Sequence, residues 1–327
     1  MSSNKFDLSL YPEANFLVSP AYLRSQAGLN RVIEYIDHDL IITGVIREAR
    51  RGRYLEVAGN PLTNWQNPEL AQRTVNKLAE ICRQNKCVFA RVRPQLEANQ
   101  NNLEVFKNLG FVPAPMHLLA EDTILIDLRQ TEEELMAGMR KGTRYEVRQS
   151  QKLGIKINQL DISQQNIEKF ANLLVETADR QHYVVGSIEQ IKLEIAEMGV
   201  EGMIDLLEAV DSSNQLLNMA VIVRYNQEAD YLYGASSLVG RKLPGAYGLQ
   251  WEAMRIARRA GSTRYNMWGV APEGAPANHR FAGVTTFKKG FGGDYYHFLP
   301  AQDLVVNKPK YQLNKVVETI RRKRRHL

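Results

Sequence analysis

The segment NLEVFKNLGF, residues 102–111, has an echo in TFKKGF, residues 286–291. Each places a Phe-Lys pair, Phe106-Lys107 and Phe287-Lys288, shortly before a glycine and another phenylalanine. The text leading up to each is also alike: a helical stretch, a strand-like run, then a polar loop. In the first case NPELAQRTVNKLAEICRQN opens on Asn67-Pro68, a cap followed by proline at the first helical position, and leads into CVFARV. In the second, GLQWEAMRIARRAG leads into RYNMWGV. Phrases that recur at so long a spacing point to a duplicated domain, not to a solenoid of short repeats. A chain of 327 residues has room for two domains of ordinary size.

Working outward, residues 16–26 read as a first helix, RVIEYIDHDLIITGVIREAR as two strands with a polar turn, and 53–60 as a third strand ended by GNP. DTILIDL opens the second half. TEEELMAGMRKGTRYEVRQSQKLG then reads as one helix, started by a Thr131…Glu134 capping box and stopped near Gly154. Ile167, Phe170, Leu174 and Ala178 stand at helical spacing in the next segment, and Ser187…Gln190 starts another helix. Three strand-like runs follow, MIDLLEAV, LLNMAVIVRYN and DYLYGASS. The expectation is an α/β fold with mixed sheets. Its domains are 1–120, completed by the C-terminal segment 300–327, and 121–299.

Hydrophobic residues make up 44% and charged residues 24% of the chain, the balance of a globular protein. No run approaches the roughly 18 apolar residues of a membrane span, and the N-terminus lacks a basic segment followed by an apolar one, so a cytoplasmic location is expected. The six histidines recur at no metal-ligand spacing, and Cys82 and Cys87 read as reduced core thiols. No metal and no cofactor is expected. Nucleotide-triphosphate, dinucleotide and serine-hydrolase motifs are absent.

The net charge of +6 is unevenly spread. IRRKRRHL at the C-terminus holds five basic residues in eight. Arg140, Arg144, Arg148 and Lys152 recur at i+4, with Lys141 and Tyr145 in a neighbouring row. Like charges at that spacing weaken an isolated helix, so the row reads either as a phosphate-tracking stripe or as one face of a helix paired elsewhere. Gly245 and Gly248 stand where a helix N-terminus would take a phosphate, although RKLPGA departs from a CoA-binding loop.

Six segments together, FLVSPAYLRSQAG, TEEELMAGMRKGTRYEVRQSQKLGIKI, YLYGASS, AYGLQWEAMRIARRAG, YNMWGV and FKKGFGG, resemble in their order the FemABX family. These are aminoacyl-tRNA-dependent peptidyltransferases that build the side bridge of peptidoglycan precursors. The resemblance implies two GNAT-like acyltransferase domains in tandem, here in the compact FemX-like form without an inserted helical arm. It implies aminoacyl-tRNA and a peptidoglycan precursor, lipid-linked or UDP-MurNAc-peptide, as partners, with the basic tail suited to the inner face of the plasma membrane. It places Phe287 and Lys288 at the tRNA 3′ end, Lys288 stabilising the developing oxyanion, and Tyr233 against the precursor. The family's precursor-binding lysine falls at Gln26, with Arg24 nearby. A family arginine and tyrosine fall at Gly186 and Gln190, and a family carboxylate at Arg93. Composition alone reads Lys288-Lys289 as a turn before an aromatic strand, and Lys289 keeps that reading. The competing readings are a GNAT-type N-acyltransferase using acyl-CoA and a non-catalytic RNA- or precursor-binding protein.

Overall fold

The computed structural model describes residues 6–181 and 185–325, the last three of these by backbone only. His182, His326 and the end of the basic tail lie outside the described residues. The chain forms two compact units, Met1–Glu121 with His297–Leu327, and Asp122–Tyr296.

The first unit opens with two 3-10 turns, Leu8–Leu10 and Phe16–Val18, and then α1, Pro20–Ala27. The single helix expected over 16–26 is thus broken at Ser19, whose side chain accepts from the Tyr22 amide, while Pro20 takes the first position where no amide is needed. Strands β1 (Arg31–Ile36), β2 (Ile41–Arg47) and β3 (Arg53–Gly59) form an antiparallel meander. Helix α2 (Pro68–Gln84), capped by Asn67, carries the chain to β4 (Cys87–Pro94), parallel to β3. Ala71, Val75, Leu78 and Cys82 lie on one helical stripe and bury it against this sheet. Helix α3 (Gln100–Asn108) and the short β5 (Val112–Pro113) follow. The sheet order is β1-β2-β3-β4-β13-β5. Its fifth strand, β13 (Gln302–Val305), and helix α10 (Lys308–Arg325) come from the far end of the chain. Arg91 of β4 grips Asp303 of β13 through two hydrogen bonds of 2.8 and 2.9 Å, both side chains buried. The Tyr311 hydroxyl donates to the same carboxylate, and Arg91 also donates to Glu318 of α10.

The second unit holds β6 (Asp122–Asp127), α4 (Glu132–Gly138), α5 (Lys141–Lys152), β7 (Lys156–Leu160), α6 (Gln164–Gln181) and α7 (Ile188–Val200). Then come β8 (Ile204–Val210), β9 (Leu216–Tyr225), β10 (Glu228–Ser236), α8 (Gly245–Arg259), β11 (Arg264–Asn266), α9 (Ala282–Lys289) and β12 (Asp294–His297). The sheet runs β12-β6-β11-β10-β9-β8-β7. As in the first unit, an antiparallel meander ends in a strand, a helix and a parallel strand: β10, α8, β11. After each parallel strand the helix bearing a Phe-Lys pair follows, α3 in one unit and α9 in the other.

Two further helical expectations are corrected. The segment 131–154 is not one helix. Its capping box at Thr131 is present, but the chain leaves helical geometry at Met139, whose side chain enters the core. The Arg140 amide, which a continuous helix would send back four residues, donates instead to Gly290 at 2.9 Å. The tertiary bond wins because it satisfies the amide while burying Met139. Gly245 and Gly248 lie inside α8, not before it. A Cβ on Gly245 would meet Asn218 Oδ1 at 2.3 Å and one on Gly248 would meet Ser150 Oγ at 2.4 Å. These glycines let α8 lie close on β9 and α5, and the Gly248 amide is bonded to the Pro244 carbonyl at 3.2 Å. Cys82 and Cys87 are buried free thiols.

Candidate active site

The pair Lys288-Lys289 ends helix α9; it is not the turn that composition suggests. Thr285 Oγ1 accepts from the Ala271 amide at 2.8 Å, tying α9 to the loop after β11. That loop passes through Trp268, a non-glycine residue at φ 58°, a backbone region costly for a bulky side chain. The Trp268 amide bonds to Asn266 Oδ1 at 2.9 Å and its carbonyl accepts from Thr123 Oγ1 at 3.1 Å, so the unusual conformation is held from both sides. The next carbonyl, Gly269, receives Lys288 Nζ at 2.9 Å.

Lys288 is 6% exposed, and Nζ lies 5.4 Å from the centre of the Tyr231 ring. The carbonyl and the ring face are both negative partners for an ammonium. They do not offset the loss of water, and burial lowers the lysine to about 7, from 10.5. Lys289, one residue on, is exposed, with Nζ 5.5 Å from the Tyr295 ring centre. The other unit makes the opposite choice with the same pair. There Phe106 is 1% exposed and Lys107 is in solvent. Here Lys288 is inside, while Phe287 is only half-buried and packs edge-on to Tyr247 and Phe291, at 5.0 and 5.1 Å between ring centres.

The glycines after the pair fix this arrangement. Gly292 and Gly293 have φ 87° and 82°. A Cβ would meet the Gly138 carbonyl at 2.9 Å on the first and the Leu125 carbonyl at 2.5 Å on the second. Their tight turn brings the backbone against the protein's own carbonyls at Gly138 and Leu125.

Tyr233 stands apart from Lys288. Strict alternation would put Tyr231 and Tyr233 on one face of β10. A bulge between them breaks the register: Tyr231 pairs with Ile222, and Tyr233 pairs with Val221. Tyr231 leans over Gly234, where any Cβ would strike its hydroxyl, and packs on the core that holds α8 and α9 residues. Tyr233 instead meets Phe170 of α6 and donates to Glu194 of α7 at 2.8 Å. The aromatic partner of Lys288 is therefore Tyr231, which the sequence reading passed over although it stands in the same YLYG.

The arginine row is also redrawn. Arg140 precedes α5 as its cap residue, and the Arg144 guanidinium caps α4 by donating to the carbonyls of Ala137 (2.9 Å) and Met139. Arg148 and Lys152 remain exposed on α5, and the residues sharing their face are Lys141 and Tyr145. Tyr145 is 60% exposed at the centre of this row. In the first unit, Arg24 is exposed and Gln26 buried on α1, and Arg93, where the family has a carboxylate, is buried against Gln95 and the Ala120 carbonyl. Gly186 and Gln190 flank the start of α7.

Two carboxyls lie deep in β10 just before Tyr231. Glu228 pairs with Arg264 at 2.5 Å and accepts from Asn266 at 3.2 Å. Asp230 is fully buried, and neither of its oxygens has a hydrogen-bond partner among the described residues. Burial, and then the Glu228 charge, push it well above the usual carboxylate range. A raised folded-state value means that stability falls as pH rises past the unfolded value. Asp230→Asn removes that loss. Its midpoint of thermal unfolding is expected to exceed the wild-type one by a margin that grows from pH 5 to pH 8; a margin that shrinks over this range contradicts a protonated Asp230.

The FemAB family model matches residues 114–189 and 199–319, more than half of the chain. The chain belongs to the FemAB family. Among curated members, a lipid II:glycine glycyltransferase of Staphylococcus epidermidis is 20% identical over 321 residues, covering 77% of this chain and 76% of that protein. The aminoacyltransferase FemA of S. epidermidis is 28% identical over 95 residues, a match that spans only 22% of FemA's length. Among solved structures, FemX superposes with a TM-score of 0.83 at 16% identity, covering 94% of this chain and 97% of FemX. A tandem GNAT protein from the clavulanic acid pathway gives 0.52 at 9% identity, with 88% of each chain covered. The fold is thus the tandem GNAT-like one expected of the FemAB family, and the topology repeats in both halves. No helix among the described residues is long and apolar enough to cross a membrane.

Proposed function

We propose that the protein is an aminoacyltransferase that moves an amino acid from aminoacyl-tRNA to the stem-peptide amine of a lipid-linked peptidoglycan precursor, working at the cytoplasmic membrane face. The observation that carries this reading is Lys288. One member of a duplicated Phe-Lys pair is drawn out of water onto the Gly269 carbonyl and the Tyr231 ring, at a cost in stability that packing alone does not require. The FemAB membership and the relative named for lipid II support the acceptor class.

In the transfer, the acceptor nitrogen attacks the ester carbonyl, an amide bond forms, the ester bond breaks, and the tRNA ribose hydroxyl leaves with a proton. The ester is already activated, so the protein's work is positioning and stabilising charge on the tetrahedral oxygen. Lys288 in its protonated form supplies that charge. The row Lys141, Tyr145, Arg148 and Lys152 offers phosphate contacts with an aromatic face among them, the pattern that suits an RNA strand. Tyr233, whose hydroxyl donates to Glu194, is an acceptor contact in this reading. Arg24 and Gln26 are acceptor contacts in it as well.

The test is transfer of a radiolabelled amino acid from charged tRNA to lipid II and to UDP-MurNAc-pentapeptide. Label should enter lipid II and the incorporation should vanish after ribonuclease. Transfer only to the nucleotide-linked acceptor would overturn the lipid-linked reading, and no ribonuclease-sensitive transfer to either would overturn the function.

A further inference from the structure

We propose that the outward face of α10 docks on the surface of a bilayer containing anionic lipids. Helix α10 has two unlike faces. One is turned into the first unit: Tyr311 is 3% and Asn314 5% exposed, Tyr311 bonds Asp303, and Asn314 accepts from Arg51. The other carries Leu313, Val316 and Ile320, at 57, 56 and 45% exposed, in the i, i+3, i+7 pattern of a single helical stripe. Scattered exposed aliphatics are ordinary, but three in register on one helix are an apolar surface that the described residues leave uncovered.

The charge around the stripe says what covers it. The only acid in α10 is Glu318, and it is turned away, bonded to Arg91 at 2.8 Å. Lys308, Lys310, Lys315 and Arg321 are exposed and form no ion pair among the described residues. The sequence continues with Lys323, Arg324 and Arg325. The outward side is therefore aliphatic in the middle and cationic at the margins, with no anion. An interfacial helix has this design: aliphatic side chains enter the acyl boundary while lysines and arginines reach the headgroup phosphates. A nucleic acid would use the cations and leave the stripe in water. The helix is too charged to span the bilayer, so it lies along the surface.

The inference gives the membrane-side acceptor proposed above a physical means of approach. It rests on that reading only for its purpose, because vesicle binding is measured without tRNA or acceptor and fails separately from transfer. The full-length protein is to be sedimented with vesicles of phosphatidylcholine alone and with 30% phosphatidylglycerol. We expect partitioning at least about tenfold stronger on the anionic vesicles, weakening with salt. Leu313→Asn, Val316→Asn and Ile320→Asn together should lower it by about tenfold or more while the far-UV circular dichroism stays unchanged. Lys310→Glu with Arg321→Glu should remove the preference for anionic lipid. These outcomes support the proposal. No binding to anionic vesicles, or binding that the apolar triple variant leaves intact, overturns it. So does a triple variant that loses self-association or binding to a short RNA hairpin instead of vesicle binding.

Discussion

Lys288→Met should reduce transfer by about 100- to 1000-fold, mostly in kcat, and at the same time make the protein more stable. The first half follows from the role proposed for the ammonium, since one charge-stabilising donor at an acyl-transfer centre is worth about 3–4 kcal/mol. The second half follows from burial. The folded-state value of about 7 lies below the unfolded value of about 10.4, so between those limits the unfolded chain binds more protons. Stability therefore rises with pH across that window, and the full cost of the buried charge is felt below pH 7. Methionine is close in length, needs no water and removes the cost. Its advantage in urea unfolding should be largest near pH 6, on the order of 4 kcal/mol at most, and should fade towards pH 10. A variant less stable than wild type at pH 6, or a gap that widens with pH, would mean that Lys288 is a well-compensated structural charge. Unchanged transfer would remove it from the chemistry altogether.

Asp303→Ala is expected to be the most damaging single change to the first unit. It strips the bidentate partner from Arg91, takes the acceptor from the Tyr311 hydroxyl, and leaves a buried guanidinium with Glu318 as its one anionic partner among the described residues. Breaking a buried pair in this way costs about 3–5 kcal/mol. Replacing both partners, Arg91→Met with Asp303→Leu, should recover much of the loss, because the penalty comes from the stranded charge. Chemical denaturation of wild type, Arg91→Met, Asp303→Leu and the double variant gives the coupling directly. If the double variant is as unstable as Asp303→Ala, packing and not charge holds this junction.

Much of the fold was open to reading in the sequence because its signals are local. Asn67-Pro68, Ser187 and Thr131 mark helix starts that the structure keeps, and the apolar spacing of 167–178 marks a buried face. The failures share a cause. The break at Met139 depends on a carbonyl 150 residues away, at Gly290, and nothing in GMRKG announces it. The place of Tyr231 beside Lys288 depends on a single bulge, which alternation arguments cannot see. Gly234, which leaves room for the Tyr231 ring, was the available hint. The different fates of Lys107 and Lys288 were equally hidden, since both sit in nearly the same words and only the tertiary surroundings separate them. Composition favoured a turn at 288–289 because glycines follow; those glycines serve instead to seat the end of a helix on Gly138 and Leu125.

The strand β13 lies between β4 and β5 in the first sheet, yet more than 200 residues of chain separate Arg91 from Asp303. This bears on the order of events during synthesis. Residues 122–296 have all their strands in one continuous stretch and can close as they emerge. The first unit, although made earlier, must wait with the inner edge of β4 unpaired until the last strand is delivered. An open strand edge is the feature most prone to wrong pairing. Pulsed proteolysis of stalled nascent chains should therefore find the later unit protected first.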